Sequence, residues 1–146
     1  MHANRNQELN RMINSTGKKS ILIVEDESDI REILSRTLRS AGYEVHEANH
    51  ALGAICAMVR EGADLILTDI RMPVVDGLEL VRELKSHEDT KHIPVIAITG
   101  FDTPEARKAA AQAGCVDFIA KPIDTAEFLK QIAAVFQKAN GATVKA

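Results

Sequence analysis

Three carboxylates, a hydroxyl and an ammonium group each follow a short, mostly apolar run in this 146-residue chain. Glu25 and Asp26 follow the first run, and Asp69, Thr99 and Lys121 follow three later ones. Carboxylates held close together repel one another, which raises their pKa values or attracts a cation. Oxygen ligands suit Mg²⁺ or Mn²⁺, which keep some water ligands and accept a phosphate oxygen. A hydroxyl and an ammonium group would neutralise other phosphoryl oxygens, so these residue types indicate phosphoryl chemistry.

Asp69 is the candidate nucleophile because it lies in the middle of this set. It ends the apolar run Leu65 to Thr68, and Pro73 prevents the strand pairing from continuing normally. Carboxylates form acyl phosphates when positioning and charge neutralisation assist them. This stretch alone leaves open the alternative that Asp69 is a turn residue, since aspartate is common after strands.

Apolar runs and helical patterns alternate along the chain. The runs predict strands at residues 21–24, 43–48, 65–68, 94–98 and 116–120. Helices are expected between and after them, at about 28–41, 51–61, 76–86, 104–113 and 124–138. The residues predicted to cap four of these helices are Ser28, Asp76, Thr103 and Asp124.

Five strands alternating with five helices predict a flavodoxin-like α/β fold with a doubly wound parallel sheet, (βα)5. Right-handed crossovers leave few topologies, and the strand order 2-1-3-4-5 is the common one. The carboxyl ends of such strands converge at one edge, where we expect the candidate residues to meet. We divide the chain into a polar N-terminal extension (1–19), one domain (20–138) and a flexible C-terminal tail (139–146).

Composition narrows the class of protein. The length suits one domain, and a net charge of −3 gives no electrostatic reason to expect binding to nucleic acid or membrane. No apolar run is long enough for a membrane span, and the N-terminus lacks the apolar core of a signal peptide. Cys56 and Cys115 lie in apolar surroundings without metal-ligand spacing, so we expect reduced core residues in a cytoplasmic protein.

The residues at about 20–138 resemble a response-regulator receiver domain of bacterial two-component signalling, of the stand-alone type. The five candidate residues agree with that family in type, order and spacing, as do the dipeptides Met72-Pro73 and Lys121-Pro122. The resemblance implies that Asp69 accepts phosphate from a histidine kinase or a histidine phosphotransferase. It also implies a Mg²⁺ or Mn²⁺ site formed by Asp26, Asp69 and the backbone carbonyl of Arg71, with Glu25 acting mainly through water.

The same resemblance implies a conformational switch. Thr99 and Lys121 would bind phosphoryl oxygens, Phe118 would be the switch aromatic, and the Lys121–Pro122 bond would be cis. Phosphorylation adds about two negative charges and three acceptor oxygens. Thr99 would move towards them and Phe118 would turn inward, changing the face of the last two helices. A downstream protein target is expected on that face, and a weak or phosphorylation-dependent dimer is compatible with the switch.

Other functions remain open at this stage. The chain could be a receiver domain excised from a larger hybrid kinase or DNA-binding regulator, or a phosphorelay shuttle or scaffold without output of its own. An aspartate-nucleophile phosphatase is disfavoured, because that family needs a second acid two residues after the nucleophile and Arg71 stands there. We therefore expect no enzyme, beyond catalysis of the domain's own phosphorylation and dephosphorylation. Arg71 and Phe101 flank the expected path of the attacking water, which predicts slow dephosphorylation.

Overall fold

Strands and helices alternate through the computed structural model, which describes residues 17–70 and 77–145, with side chains up to residue 138. The strands are β1 (Ser20–Val24), β2 (Glu44–Ala48), β3 (Leu65–Asp69), β4 (Val95–Thr99) and β5 (Asp117–Ala120). The helices are α1 (Ser28–Ser40), α2 (Ala51–Arg60), α3 (Gly77–Ser86), α4 (Pro104–Ala113) and α5 (Thr125–Lys145). All strand pairs are parallel, in the order β2-β1-β3-β4-β5. The predicted fold class and strand order are confirmed.

The central strands are apolar on both faces because helices cover both faces of the sheet. Every residue of β1, β3 and β4 is buried. On one face, Leu22 and Ile66 pack with residues of α2 and α3, including Leu80. On the other face, Ile23 and Leu65 join the residues of α1 and α5 that form the second cluster, which are Leu34, Leu38, Phe128, Ile132 and Val135. An apolar layer therefore covers each face of the sheet and fixes the position of the strands.

The edge position of β2 is also visible in its side chains. Val45 and Ala48 are buried, whereas Glu44 and Glu47 are exposed. This partial alternation is the pattern expected for a strand with only one well-covered face.

Local capping explains several helix boundaries. The Thr103 hydroxyl accepts a hydrogen bond from the Ala106 N–H at 3.0 Å, directly before Pro104 at the first helical position. Asp124 Oδ1 accepts from the Ala126 and Glu127 N–H groups at 3.0 and 3.2 Å. Both caps were predicted, whereas Asp76 lies outside the described residues.

The predicted cap at Ser28 is wrong. Glu27 occupies the cap position of α1 without a side-chain cap, and Ser28 is the first helical residue. The chain turns one residue earlier than predicted because the Glu27 N–H donates to Glu25 Oε2 at 3.2 Å, and the Glu27 carbonyl then accepts from Arg31. The predicted start of α2 at Ala51 is correct, but its capping residue was not identified: the Nδ1 of His50 accepts from the Gly53 N–H at 2.9 Å.

Two further details differ from the sequence predictions. The α5 backbone continues to Lys145, beyond the end predicted near Lys138. A glycine such as Gly141 costs a helix only about 1 kcal/mol relative to alanine, so it does not have to end one. Both cysteines are free as predicted, but Cys56 is exposed instead of buried in the core and Cys115 is half-buried. Across the residues described, no helix combines the length and apolar character needed to cross a membrane.

Candidate functional site

The sheet register brings the candidate residues to one edge. Val24 pairs with Thr68, so Glu25 and Asp69 are the next residues along two neighbouring strands. Asp69 pairs with Ile98, and Thr99 pairs with Ala120, the residue before Lys121. Parallel strands end at the same edge, so in-register pairing collects side chains that lie far apart in sequence.

Lys121 lies between the buried carboxylates at this edge. Its Nζ is 2.9 Å from Glu25 Oε1 and 3.1 Å from Asp69 Oδ2, with Glu27 Oε1 further away at 3.5 Å. Glu25 is completely buried and Asp69 is 3% exposed. Buried carboxylates need compensating positive charges, and the Lys121 ammonium group supplies one positive charge for the two buried carboxylates.

The pKa values of this ionic cluster reflect competition between burial and pairing. Burial raises the pKa of Glu25 to about 7, and the negative charge of Asp69 adds to the increase, although the Lys121 ammonium opposes it. Burial alone would lower the pKa of Lys121, but hydrogen bonds to Glu25 and Asp69 outweigh it and leave the pKa raised. The cluster therefore has more negative charge than one ammonium group neutralises, which favours a cation.

Four carboxylates could share such a cation. Glu25, Asp26, Glu27 and Asp69 each offer one oxygen, and these oxygens lie within 4.8 Å of one another. Two of the side chains are buried and two are exposed, so the cluster has a protein side and a solvent side. Hard oxygen ligands with room for water fit Mg²⁺. The predicted carbonyl ligand, that of Arg71, lies outside the described residues.

Glu27 was not among the predicted ligands. It belongs to the run Glu25-Asp26-Glu27, so the run of three acids was the only available signal in the sequence. The Glu27 carboxylate lies near the Lys121 ammonium group although the two residues are 94 positions apart, so this contact could not be predicted from local spacing.

Thr99 is completely buried at the end of β4. Its hydroxyl accepts a hydrogen bond from the Phe101 N–H at 3.1 Å, and its carbonyl accepts from the Lys121 N–H at 2.8 Å. Thr99 thus contacts the loop after β4 and the backbone of Lys121, whose ammonium group forms the ion pair with Asp69. The bond between Lys121 and Pro122 is cis, as the resemblance implies.

Phe118 points into the protein and is 7% exposed. The Arg107 guanidinium carbon lies 4.6 Å from the centre of its ring, within the range of a cation–π contact. Arg107 also makes two hydrogen bonds to the Asp102 carboxylate, at 2.6 and 3.1 Å. The Arg107 guanidinium of α4 therefore covers the Phe118 ring and is also hydrogen-bonded to Asp102 in the loop after Thr99. Sequence reasoning identified Phe118 but missed Arg107 and Asp102.

Gly77 was also not identified from the sequence. A Cβ at this position would meet the Asp69 carbonyl oxygen and would lie 2.7 Å from Ile70 Cα and 2.9 Å from the Asp69 carbonyl carbon. The start of α3 therefore packs directly on the backbone of Asp69, and only glycine fits without a shift.

Comparisons with known proteins agree with this geometry. The model of the response regulator receiver domain family matches residues 21–133. The polar-differentiation response regulator DivK of Brucella ovis is 37% identical over 114 residues, which cover 78% of this chain and 93% of DivK. The chemotaxis protein CheY4 of Vibrio cholerae has a similar structure, with a TM-score of 0.78 and 30% identity over 81% of this chain and 98% of CheY4.

A third relative is described with a bound metal ion. The receiver domain of sensor histidine kinase PA1611 from Pseudomonas aeruginosa is 34% identical, with a TM-score of 0.71 over 77% of this chain and 93% of that domain. Its structure is described with a magnesium ion coordinated in the active site cleft. The family match, the relatives and the sheet topology agree, and the chain belongs to the response-regulator receiver family of two-component signalling.

Proposed function

We propose that this chain is a phospho-acceptor response regulator of a two-component system or phosphorelay, with Asp69 as the acceptor. The observation that carries the proposal is the buried Asp69 carboxylate at the sheet edge, 3.1 Å from the Lys121 ammonium and clustered with three other acids. A nucleophile beside a fixed cation is suited to phosphoryl transfer, where positioning and charge neutralisation supply most of the catalysis.

The reaction transfers one phosphoryl group without another reactant. An Asp69 carboxylate oxygen attacks the phosphorus of a phosphohistidine, the P–O bond forms, the P–N bond breaks, and the imidazole leaves with the electron pair. Lys121 moves its interaction from the carboxylate to a phosphoryl oxygen, and the Thr99 hydroxyl donates to another. Mg²⁺ held by Glu25, Asp26 and Asp69 would neutralise the charge that accumulates on the transferred group. The Arg71 carbonyl completes the proposed ligand set.

We propose that signalling follows from the movement of Thr99. Its hydroxyl now accepts from the Phe101 N–H, and turning towards a phosphoryl group would break this bond and release the loop that carries Asp102. Phe118 is largely buried in the structure. Phosphorylation would shift a pre-existing equilibrium between conformations of the domain, so some basal activity is expected. The output surface is that of α4 and α5.

The proposed partners are a histidine kinase or histidine phosphotransferase as donor and a protein target as receiver of the signal. The match to the receiver domain family supports a role in the cytoplasm through protein contacts. Nucleic acid and membrane are not among the proposed partners.

Incubation with acetyl phosphate or phosphoramidate and Mg²⁺, followed by intact-mass measurement, tests the chemistry. We expect the wild-type protein to gain the mass of one phosphoryl group. The Asp69→Asn variant should gain none, and EDTA should prevent the gain in the wild type. Glu32→Gln, an exposed change on α1, is the matched control and should be phosphorylated normally. Equal labelling of Asp69→Asn would refute the assignment of the acceptor.

A further inference from the structure

The pair of Asp102 and Arg107 connects the loop after β4 with the Phe118 ring. Arg107 Nε and Nη2 donate to the two carboxylate oxygens of Asp102, at 2.6 and 3.1 Å, so the contact is bidentate. The same guanidinium lies 4.6 Å from the centre of the Phe118 ring. One planar group therefore contacts a loop carboxylate and an aromatic ring of β5 at the same time. A lysine ammonium group could not make both contacts with this fixed geometry.

A second carboxylate, that of Asp117, acts on the same guanidinium. The hydrogen bonds to Asp102 raise the pKa of Arg107, and the negative charge of Asp117 adds to the increase. A displacement of the loop that carries Asp102 would therefore leave Arg107 with an acidic neighbour on β5. Two arrangements of one side chain, each next to a carboxylate, form the kind of alternative that a small shift can exchange.

The backbone of Phe118 is held in place, so a change at this position must act through its ring. The Phe118 N–H donates to Asp117 Oδ1 at 2.8 Å, and the Phe118 carbonyl accepts from Gln131 Nε2 at 3.3 Å. The α4 residues that share the apolar cluster of Phe118 are small, namely Ala106 and Ala110. Arg107 is therefore the large α4 side chain that contacts the ring.

We infer that Arg107 is a positioning residue that couples the loop after β4 to the orientation of the Phe118 ring. The Thr99 hydroxyl holds this loop through the Phe101 N–H, and Asp102 is the next residue of the loop. A movement of the loop displaces the Asp102 carboxylate, and the bidentate contact transmits the displacement to Arg107. In the phosphorylated protein, where the inference rests on the function proposed above, Thr99 starts this movement. The coupling itself uses only contacts that the structure shows.

Two-dimensional NMR of the full chain with isotope-labelled phenylalanine tests the coupling. The sequence has four phenylalanines, and Phe118→Leu identifies the ring resonances of position 118 by their absence. We expect Asp102→Asn and Arg107→Gln each to shift these resonances, because each breaks the bidentate contact. Both side chains are partly exposed, so neither change leaves a buried cavity. The matched control, Arg36→Gln, breaks an exposed arginine–glutamate pair of 2.6 Å on α1 and should leave the resonances unchanged.

A double-mutant cycle tests whether Asp102 acts through Arg107. Asp102→Asn in the Arg107→Gln background should shift the Phe118 resonances by less than half as much as it does in the wild type. The effects of two residues that act through one contact are not additive. Equal shifts in the two backgrounds overturn the inference, and so do unchanged resonances in Arg107→Gln. Neither outcome depends on whether Asp69 accepts phosphate.

Phosphoramidate and Mg²⁺ test the same coupling in the phosphorylated protein. Intact mass first measures the gain of a phosphoryl group, which we expect in both the wild type and Arg107→Gln. Phosphorylation should shift the Phe118 resonances of the wild type, and Arg107→Gln should lose more than half of this shift. A phosphorylated Arg107→Gln variant with the full wild-type shift overturns the inference. A wild type that gains no phosphoryl group instead refutes the proposed function, and the double-mutant cycle then decides the coupling.

Discussion

At the level of single residues, the site is organised by a charge imbalance. One ammonium group, that of Lys121, contacts two buried carboxylates, and burial holds the pKa of Glu25 near 7. Two exposed acids add to this imbalance from the solvent side. A residue type alone does not reveal this balance, because the same glutamate on a surface would keep an ordinary pKa.

The two cysteines illustrate the effect of environment on reactivity. Burial raises the pKa of Cys115 to about 11, despite the nearby Lys85 ammonium, whereas Cys56 is exposed. Only about one Cys115 in a thousand is then a thiolate at pH 8. We expect Ellman's reagent to modify Cys56 rapidly and Cys115 slowly, with the Cys115 rate rising about tenfold per pH unit up to the pKa.

Single-cysteine variants measure the two rates separately. Cys115→Ser leaves the exposed thiol and Cys56→Ser leaves the half-buried one. Similar rates for the two variants at pH 8 would contradict the expected difference.

The position of Phe101 predicts an effect on the lifetime of the phosphorylated protein. Its side chain is 55% exposed directly after the loop glycine that follows Thr99. We expect its ring to limit the access of water to the acyl phosphate, so Phe101→Ala should shorten the lifetime of the phosphorylated protein. Decay of the phosphoryl mass after removal of the donor gives this lifetime. An unchanged lifetime would mean that the ring does not shield the phosphoryl group.

At the level of secondary-structure elements, the first residue of α3 sets the position of Asp69. The backbone of Gly77 packs so closely on Asp69 and Ile70 that a Cβ has no space. The start of α3 and the end of β3 are thus in direct backbone contact. A side chain at position 77 would force the two elements apart.

Gly77→Ala tests this coupling. We expect the free energy of unfolding to fall by about 1–3 kcal/mol, the usual cost of overpacking, and the phosphorylation rate to fall because the Asp69 backbone must shift. Gly100→Ala is the matched control, since a Cβ there meets nothing within 4 Å. Urea unfolding measures the stability of both variants. Equal stability of the two would show that the α3 start is not tightly packed.

At the level of the whole molecule, the fold holds like charges together at one edge of the sheet. Two apolar layers stabilise the sheet, and parallel pairing places the buried carboxylates of Glu25 and Asp69 next to each other, with Asp26 and Glu27 close by on the solvent side. A cation that binds only the folded protein therefore stabilises it.

Removal and addition of Mg²⁺ measure this link. At a free Mg²⁺ concentration ten times the dissociation constant, the free energy of unfolding should increase by about 1.4 kcal/mol relative to EDTA. Asp26→Asn should lose most of this increase, because it removes one of the four candidate oxygen ligands. Glu32→Gln, on the exposed side of α1, should retain it. If the free energy of unfolding of the wild-type protein is the same with Mg²⁺ and with EDTA, the metal assignment is contradicted.

Sequence patterns were enough to predict the order of the elements, the parallel sheet and most of the residues at its edge. These features depend on short-range signals: apolar runs, helical periodicity, and caps such as Thr103 and Asp124. One cap was assigned to the wrong residue. The cap position of α1 is Glu27 instead of Ser28, and the Glu27 N–H donates to the side chain of Glu25, two residues earlier.

The contacts on which the site depends could not be predicted from the sequence and became visible in the folded chain. The ion pair of Lys121 with Asp69 joins residues 52 positions apart, and the contact of Arg107 with Phe118 depends on how α4 packs beside β5. The exposure of Leu52 and Val59 on α2 and the lack of space at Gly77 likewise follow from packing. Spacing along a chain specifies which face or strand end carries a side chain. Distances between elements instead depend on the packing of the whole core, which no local stretch of sequence encodes.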